Sequence, residues 1–205
     1  MRFAQIVLSA GRSSRMGSPK ANLELGGKTS LERTIGAARA GGVRRHLVVV
    51  GEHAREIRER HEGVFDFEGI HWVENADSRA PMASSLKLAL STVEPAKLDG
   101  FFFLPVDLPL ITARVYKALI EAFKVQTDEL CTLVPVHAGR RGHPPLCTGS
   151  LLKAFLELDA DQTPRDVISK HPRVEVSVSD FGIHEDMDTP EDFQRLKARL
   201  ENGTS

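Results

Sequence analysis

Short runs of β-forming residues alternate with amphipathic helical patterns along the first part of this chain. The β-rich runs cover residues 3–10, 45–52, 70–76 and 100–107, and a helical pattern follows each of them. A repeated strand-helix-strand order predicts a mostly parallel sheet whose two faces are covered by helices. We therefore predict an α/β fold with three layers, α/β/α, around a mostly parallel central sheet.

The second part of the chain is less regular. Its patterns predict a strand at 131–136, helices at 151–158 and 164–171, an alternating strand near a sheet edge at 173–179, and a closing helix at 189–201. No linker rich in Pro, Gly or Ser divides the sequence. We predict a single domain with a Rossmann-like N-terminal half and a mixed C-terminal half.

The charge balance excludes several classes of partner. The chain has 27 Lys and Arg residues against 28 Asp and Glu residues, so no overall field attracts nucleic acid or an anionic membrane. Its two cysteines, Cys131 and Cys147, are too few for a disulfide framework and lack metal-site spacing. No segment approaches the ~20 apolar residues of a membrane span. We expect a soluble cytoplasmic protein that binds neither nucleic acid nor membrane.

The segment directly after the first strand, LSAGRSSRMGSPK at residues 8–20, combines glycines, hydroxyls and cations. Gly11 and Gly17 allow backbone N–H groups to approach a ligand closely, and three side chains supply positive charge: Arg12, Arg15 and Lys20. Open α/β sheets bind ligands at the carboxyl ends of their strands, so a polyphosphate is the expected ligand. The same composition also fits a solvated surface loop, and the spacing is neither that of a P-loop nor G-x-G-x-x-G.

Two later segments place acidic residues where a metal site would need them. The apolar run FFFLPVD predicts a central strand that ends at Pro105 and is followed by Asp107. In DMDTPEDF, Thr189 is the expected cap of a helix, which leaves Asp186 and Asp188 unexplained by capping. Mg²⁺ binds one or two protein carboxylates together with phosphate oxygens. A turn at Asp107 and a solvated acidic pair are the alternative interpretations.

Further polar residues occur after the third strand and in a turn of the second half. Asn75 lies at the end of the third β-rich run, and Ser84 and Ser85 lie near the start of the next helix. The turn GRRGHPPL at 139–146 carries a histidine, His143, between a glycine and a proline. Ordinary turn residues and a structural histidine are the alternatives here.

The loop at 8–20 resembles the signature L-x-x-G-x-S-x-R-M-G-x-x-K of nucleotidyltransferases with a glycosyltransferase-A-like fold, which include the molybdenum cofactor cytidylyl- and guanylyltransferases. The resemblance implies that the N-terminal half binds a nucleoside triphosphate and that Arg15, Lys20 and Asp107 are catalytic. The nucleotide-binding residues that it implies are Leu8, Ser9, Ala10, Gly11, Arg12, Ser13, Gly17, Asn75, Ser84 and Ser85. Guanylyltransferases of this family typically carry Gly-Gly where this chain has Ala10-Gly11, whereas the cytidylyltransferases carry Ala-Gly. The loop therefore resembles that of the cytidylyltransferases, which use CTP.

Other segments are similar to the same family. PVDLP resembles its D-x-P segment, and DMDTPEDF resembles its closing signature. Together they imply Mg²⁺ ligands at Asp107, Asp188 and Asp186. GRRGHPPL is similar to the G-x-x-G-H-P segment of the cytidylyltransferases, and LDADQTPRDVI to G-D-x-G-x-R. The acceptor-binding residues that these segments imply are Gly142, His143, Pro144, Asp161 and Arg165. The chain departs from the family at three glycine positions, which hold Pro81, Ala160 and Thr163.

The resemblance implies transfer of CMP from CTP to the phosphate of molybdopterin or the molybdenum cofactor, with Mg²⁺ as cofactor and release of pyrophosphate. The nucleotide would bind to the part at about 1–110 and the pterin phosphate to the part at about 111–205. An apo-molybdoenzyme that receives the product is a further partner. Two alternatives stay open: guanylyl or sugar-phosphate nucleotidyl transfer on the same fold, and a non-catalytic carrier of the cofactor.

Overall fold

The computed structural model describes residues 1–11, 16–65, 69–77 and 81–201. The strands are β1 Phe3–Ser9, β2 Glu24–Leu25, β3 Lys28–Thr29, β4 Arg45–Val50, β5 Ile70–Glu74, β6 Gly100–Pro105, β7 Thr132–His137, β8 Arg140–Arg141, β9 Leu146–Thr148 and β10 Arg173–Ser177. The α-helices are α1 Ser30–Ala40, α2 Ala54–Arg60, α3 Met82–Ser91, α4 Ala113–Val125, α5 Leu152–Leu156, α6 Pro164–Lys170 and α7 Pro190–Glu201. None of the helices in these ranges is both long and apolar enough to cross a membrane.

One sheet organises the molecule. Its strand order is β10-β7-β9-β6-β1-β4-β5, with β8 paired to β7. Strand β1 pairs in parallel with both β4 and β6, and the β4/β5 and β7/β10 pairs are also parallel. The antiparallel pairs of this sheet involve β8 and β9 in the C-terminal half. The predicted mostly parallel sheet is therefore confirmed.

Strand β6 shows how this sheet carries a core on each face. Phe101 and Phe103 pack into the cluster beneath α3 and α5, whereas Phe102 and Leu104 pack into the cluster beneath α4. Successive side chains of a strand point to opposite faces, so this uninterrupted apolar run belongs to a strand covered on both sides. Val7 of β1 packs with α1 and α2 in a third cluster. The result is the predicted three-layer α/β/α arrangement.

The predicted strands and helices are all present, and their ends differ from the predicted ones by two residues at most. The predicted helix cap at Thr189 is also confirmed, because the Thr189 N–H donates to Asp192 Oδ2 at 3.0 Å and the Asp192 N–H donates to Thr189 Oγ1 at 3.2 Å. The β2/β3 hairpin and strands β8 and β9 were not predicted from the sequence. These elements are only two or three residues long, which is too short to show a hydrophobic period.

A buried polar network ties β1 and β4 to α4. Gln5 Nε2 donates to the Tyr116 hydroxyl at 2.7 Å, which leaves Gln5 Oε1 to accept from His46 Nδ1 at 2.9 Å. Burial lowers the pKa of His46 to about 4, and the positive charges of Arg39 and Arg44 add to that shift. The imidazole is therefore neutral at physiological pH.

We expect the free energy of unfolding to fall as the pH is lowered from 6.5 to about 4. In this window His46 takes up a proton in the unfolded chain but not in the folded chain, so acid favours unfolding, by about 3 kcal/mol across the full window. Urea denaturation at pH 7 and pH 5 measures this change. His46→Gln keeps a donor for Gln5 and should show a smaller loss than the parent protein, whereas the exposed control His71→Gln should match the parent. Equal pH dependence in His46→Gln and the parent would contradict this assignment.

Candidate active site

The loops that follow β1 and β6 meet at the carboxyl edge of the sheet. The crossover from β1 to β4 leads to one side of β1, and β6 later pairs on its other side. Open α/β sheets form a ligand crevice at such a switch in strand order. The Val106 N–H donates to the Leu8 carbonyl at 3.1 Å, and the Ser30 hydroxyl donates to the Val106 carbonyl. These bonds hold the starts of the two loops side by side.

One ammonium group bridges two carboxylates at this edge. Lys20 Nζ lies 2.9 Å from Asp107 Oδ2 and 2.5 Å from Asp188 Oδ1. Lys20 begins a short 3₁₀ turn after the first loop, Asp107 follows β6, and Asp188 precedes α7. The side chains of Lys20 and Asp107 are 16% and 18% exposed, whereas that of Asp188 is 53% exposed. The structure thus brings together three predicted residues that are far apart in the sequence.

The carboxylates keep the Lys20 side chain protonated. Burial by itself would lower the pKa of this ammonium group, but the hydrogen bonds and negative charges of Asp188 and Asp107 outweigh burial, and the pKa is raised. Lys20 is therefore a fixed positive charge at neutral pH.

Asp186 brings a third carboxylate to the same edge. Partial burial raises its pKa, and the negative charges of Asp188 and Asp107 raise it further. Met187, between the two acids, is fully buried in the cluster beside α7. Asp186 and Asp188 are both exposed, as the alternation of an extended segment requires.

These carboxylates suit a divalent cation that is bound together with a phosphate. Within the described ranges, no group of three or more His, Cys, Asp or Glu side chains could hold a metal ion by itself. Mg²⁺, however, commonly takes only one or two protein carboxylates and fills its other positions with phosphate oxygens and water. Asp107 and Asp188 already share one cation, the Lys20 ammonium, so they offer such a partial set of ligands.

The structure describes the two ends of the glycine-rich loop. Leu8 and Ser9 end β1 and are buried. Gly17 has a φ of 67°, the left-handed conformation that favours glycine, whereas Gly11 lies outside that region. Three predicted loop residues lie outside the described residues: Arg12, Ser13 and Arg15.

Gly51 supports this loop, and the sequence analysis missed it. A Cβ atom at Gly51 would lie 2.6 Å from the Ala10 carbonyl oxygen, so only glycine lets the chain after β4 lie this close to the chain after β1. The Ala10 side chain itself packs against the cluster on the α3 side of the sheet. The available signal was a glycine near the end of the β-rich run at 45–52.

Asn75 and Ser85 join the end of β5 to the start of α3. Asn75 Nδ2 donates to Ser85 Oγ at 2.9 Å, and both side chains are buried. The Ser84 hydroxyl donates to the Pro81 carbonyl at 2.8 Å. These predicted nucleotide-binding residues therefore have structural partners at the same carboxyl edge of the sheet.

A cleft of about 670 Å³ opens beside the carboxylates. Its lining includes Asp107 and Asp186 together with three residues that the sequence analysis assigned to the acceptor: Gly142, His143 and Arg165. The structure thus places the predicted acceptor residues next to the predicted metal ligands. Two other predicted acceptor residues do not line the cleft, since Pro144 is buried and Asp161 is exposed elsewhere.

The turn at Gly142 and His143 is fixed by its backbone. A Cβ atom at Gly142 would lie 2.5 Å from the Ile183 carbonyl oxygen, which excludes other residues without a local shift. The His143 N–H donates to that same carbonyl at 3.0 Å. Burial lowers the pKa of His143 to about 4, and the positive charge of Arg165 lowers it as well. His143 therefore enters the cleft wall as a neutral imidazole.

Several other polar residues of the cleft were not predicted from the sequence. The missed basic side chains in its lining are Arg140, Arg141, Arg173 and His184. The two arginines before Gly142 were visible in the turn, but charged turn residues are common. Arg173 is the first residue of β10, which is distant from the turn in the sequence, so no local pattern could place it beside the turn.

The MobA-like NTP transferase domain family matches residues 5–175 of this chain. A molybdenum cofactor cytidylyltransferase of Escherichia coli (strain K12) is 27% identical over 194 residues, which cover 95% of each chain. A probable molybdenum cofactor guanylyltransferase of Bacillus cereus (strain G9842) is 29% identical over 140 residues, which cover 68% of this chain and 64% of that protein.

Solved structures show the same architecture. The crystal structure of the homologue of Mycobacterium tuberculosis Rv0371c from Mycobacterium sp. strain JC1 matches with a TM-score of 0.80 and 29% identity, over 98% of this chain and 99% of that one. The complex of Rv0371c from M. tuberculosis H37Rv with manganese matches with a TM-score of 0.76 and 25% identity, over 97% and 99% of the two chains.

The Lys20 bridge predicts unequal coupling to its two partners. The coupling is the interaction free energy from double-mutant cycles of urea denaturation. For Lys20→Met with Asp107→Asn we expect about 1–2 kcal/mol, because both side chains are mostly shielded from water. For Lys20→Met with Asp188→Asn we expect less than about 1 kcal/mol, because the Asp188 side chain is more exposed. The exposed Lys124–Glu121 pair, with a separation of 2.6 Å, is the reference. A Lys20–Asp107 coupling no larger than that of the reference pair would rule out the shielded bridge.

Proposed function

Because this chain belongs to the MobA-like NTP transferase domain family, we propose that it transfers CMP from CTP to the phosphate of molybdopterin or the molybdenum cofactor. The observation that carries this proposal is the meeting of Lys20, Asp107 and Asp188 at the sheet edge, beside a cleft lined by arginines. Nucleotidyl transfer needs positive charge and metal ligands, and this edge supplies both, in Lys20 and in the two carboxylates. The adjacent cleft can bind an anionic acceptor.

The triphosphate of the nucleotide binds the loop between β1 and the Lys20 turn. Ala10 and Gly11 directly follow the carboxyl end of β1, and Gly17 lies further along the same loop, so their backbone N–H groups are the proposed donors to the phosphate oxygens. The positive charges for the triphosphate come from Lys20 together with Arg12 and Arg15. Asn75, Ser84 and Ser85, at the end of β5 and the start of α3, are the residues proposed to bind the nucleoside.

The bond change is a displacement at the α-phosphorus of CTP. An oxygen of the acceptor phosphate forms a bond to this phosphorus, and the bond to the oxygen that links it to the β-phosphate breaks, so pyrophosphate leaves. The attacking group is already an anion, which explains why no serine or cysteine nucleophile is required. The work of the protein is alignment and charge neutralisation. Lys20 and Arg15 stabilise the departing pyrophosphate.

Asp107 and Asp188 hold the divalent metal, with Asp186 beside them, and Mg²⁺ is the proposed ion. When bound, it supplies positive charge to the phosphate oxygens. Support comes from the shared carboxylate edge and from a similar structure, that of Rv0371c, which was determined in complex with manganese. The fit rests on two carboxylates plus substrate oxygens, the usual arrangement for Mg²⁺.

The acceptor lies in the cleft beyond these carboxylates. Gly142, His143 and Arg165 line it together with Asp107, and the proposed place of the acceptor phosphate is between Arg165 and Asp107. Pro144 fixes the turn behind His143, and Asp161 lies outside the cleft. We also propose a nucleotide part at about 1–110 and an acceptor part at about 111–205, and the presence of Gly142, His143 and Arg165 in the cleft supports this division.

CTP is proposed over GTP for two reasons. The cytidylyltransferase of E. coli matches over nearly the whole chain, whereas the guanylyltransferase of B. cereus matches over about two thirds. The loop also carries Ala10, whose methyl group takes space that a larger purine would need. GTP remains the second candidate because of the Bacillus relatives.

We place the protein in the reducing cytoplasm, where an apo-molybdoenzyme receives the product. Its two cysteines, Cys131 and Cys147, are both buried and not joined by a disulfide. A reducing compartment preserves such thiols.

Asp107→Asn should abolish transfer while leaving the fold intact. The neutral amide cannot replace a carboxylate beside a divalent cation, so we expect the rate of pyrophosphate release with CTP, Mg²⁺ and molybdopterin to fall at least about 100-fold. The melting temperature checks the fold, and Asp128→Asn, at an exposed acid after α4, is the matched control. Full activity of Asp107→Asn with Mg²⁺ would reject the proposed role of this residue.

The choice of base is tested by thermal shift with CTP, GTP, UTP and ATP in the presence of Mg²⁺. A ligand that binds only the folded chain raises the melting temperature by mass action, and CTP should give the largest rise. Ala10→Gly should improve GTP binding relative to CTP by roughly tenfold, or about 1.4 kcal/mol. A shift with GTP alone in the parent protein would overturn the assignment of CTP.

A further inference from the structure

The Lys20 ammonium group contacts the same oxygen atoms that a metal ion between Asp107 and Asp188 would need. Lys20 Nζ lies 2.9 Å from Asp107 Oδ2 and 2.5 Å from Asp188 Oδ1. Mg²⁺ binds carboxylate oxygens at about 2.0–2.1 Å, so an ion on these two oxygens would lie within a few ångströms of the ammonium group. Two positive charges this close repel each other strongly in a site shielded from water. Lys20 and a divalent cation therefore compete for these oxygens.

Lys20 neutralises this pair of carboxylates alone among the described residues. In the described part of the chain, no second cationic side chain pairs with Asp107 or with Asp188. Removal of the ammonium group would leave two neighbouring carboxylates without a cation, and such a pair attracts a divalent ion. The charge of one lysine therefore sets how strongly this edge attracts a metal.

The chain is fixed on either side of this contact. Ala21, directly after Lys20, is fully buried in the cluster with α1 and α2. Met187, directly before Asp188, is fully buried in the cluster beside α7. Movement of either backbone would open a packed cluster, which costs free energy. Rotation of the lysine side chain, on its flexible four-carbon stem, is the easier way to separate the ammonium group from the carboxylates.

The position of Lys20 in the chain gives its side chain a second set of partners. Lys20 is the last residue of the glycine-rich loop at 8–20, the proposed site of the triphosphate. A triphosphate there offers several anionic oxygens to the N–H donors of the ammonium group. When the ammonium group turns to these oxygens, Asp107 Oδ2 and Asp188 Oδ1 become available to a divalent cation.

We propose that Lys20 couples metal binding to nucleotide binding: its ammonium group keeps divalent cations from Asp107 and Asp188 until a triphosphate draws it away. This role rests on the proposed metal ligands, but not on the identity of the base or of the acceptor. Coupling between two sites is reciprocal, so the metal in turn favours the contact between Lys20 and the phosphates. A metal ion without nucleotide binds weakly, and the ion enters together with the triphosphate.

The first test is Mn²⁺ binding in the absence of nucleotide, measured as the loss of the electron paramagnetic resonance signal of free Mn²⁺. Lys20→Met removes the competing charge. We therefore expect Mn²⁺ to bind this variant about tenfold more tightly than the parent protein, an effect within the range typical of coupled sites. The double variant Lys20→Met/Asp188→Asn should lose this gain, because it lacks one of the two carboxylates.

The matched control is Lys124→Met, which removes the ammonium group of the exposed Lys124–Glu121 pair and should keep the parental Mn²⁺ affinity. Melting temperatures check the fold, and Lys20→Gln replaces Lys20→Met if the methionine variant does not fold. Equal Mn²⁺ affinities in the Lys20 variant and the parent protein overturn the proposal. An equal gain in Lys124→Met, or a gain that persists in the double variant, overturns it as well.

The second test follows Lys20 itself in the parent protein. Lysine ¹³Cε signals are recorded by NMR, and the signal of Lys20 is assigned by its absence in Lys20→Met or Lys20→Arg. Inorganic tripolyphosphate without metal should shift this signal saturably, whereas Mg²⁺ alone at the same concentration should not. The signal of Lys124 is the internal control. No response of Lys20 to tripolyphosphate, or an equal response to Mg²⁺ alone, overturns the proposal.

Both tests measure binding without an acceptor or turnover, which separates this proposal from the proposed function. If the parent protein forms no dinucleotide from CTP and molybdopterin, the proposed function fails, and the Mn²⁺ affinities still decide the role of Lys20. If Asp107→Asn loses transfer but Lys20→Met binds Mn²⁺ no better than the parent protein, the proposed function stands and the coupling through Lys20 fails.

Discussion

Strand β1 is buried on both faces and pairs in parallel with β4 along one edge and with β6 along the other. Parallel pairing brings the carboxyl ends of these strands to one edge of the sheet. The loops that follow the strands therefore lie side by side at this edge. Lys20 follows β1 and Asp107 follows β6, so the two side chains meet because these two strands are neighbours in the sheet. The close packing of Gly51 on Ala10 and the bond from Val106 to Leu8 fix the same junction.

The charges at this edge are balanced within the chain. Partial burial and the negative charges of Asp188 and Asp107 raise the pKa of Asp186, and the Lys20 ammonium pairs with Asp107 and Asp188. In the proposed reaction the same ammonium serves a departing phosphate, and the carboxylates serve a divalent cation. Without ligands, the opposite charges of Lys20 and the two carboxylates therefore neutralise one another.

Much of the candidate site could be predicted from local signals. Asp107 follows an apolar strand, which predicts a position at the end of that strand. Thr189 caps a helix, and this cap does not account for Asp186 and Asp188, which lie just before the helix. The family match confirms the predicted resemblance, while the individual roles of the site residues stay predictions. The partners of Asn75 and Ser85 could not be predicted, because hydrogen bonds between distant side chains leave no trace in hydrophobic periodicity.

The sequence by itself determined the layer architecture, the parallel sheet and the loops that carry charge, since these follow from local periodicity and from residues with restricted backbone conformations. Only the tertiary structure decided which charges share one space. Strand order and register bring Lys20 between Asp107 and Asp188, turn Arg173 into the cleft and leave Asp161 outside it. These relations depend on packing between segments far apart in the chain, which no local pattern encodes.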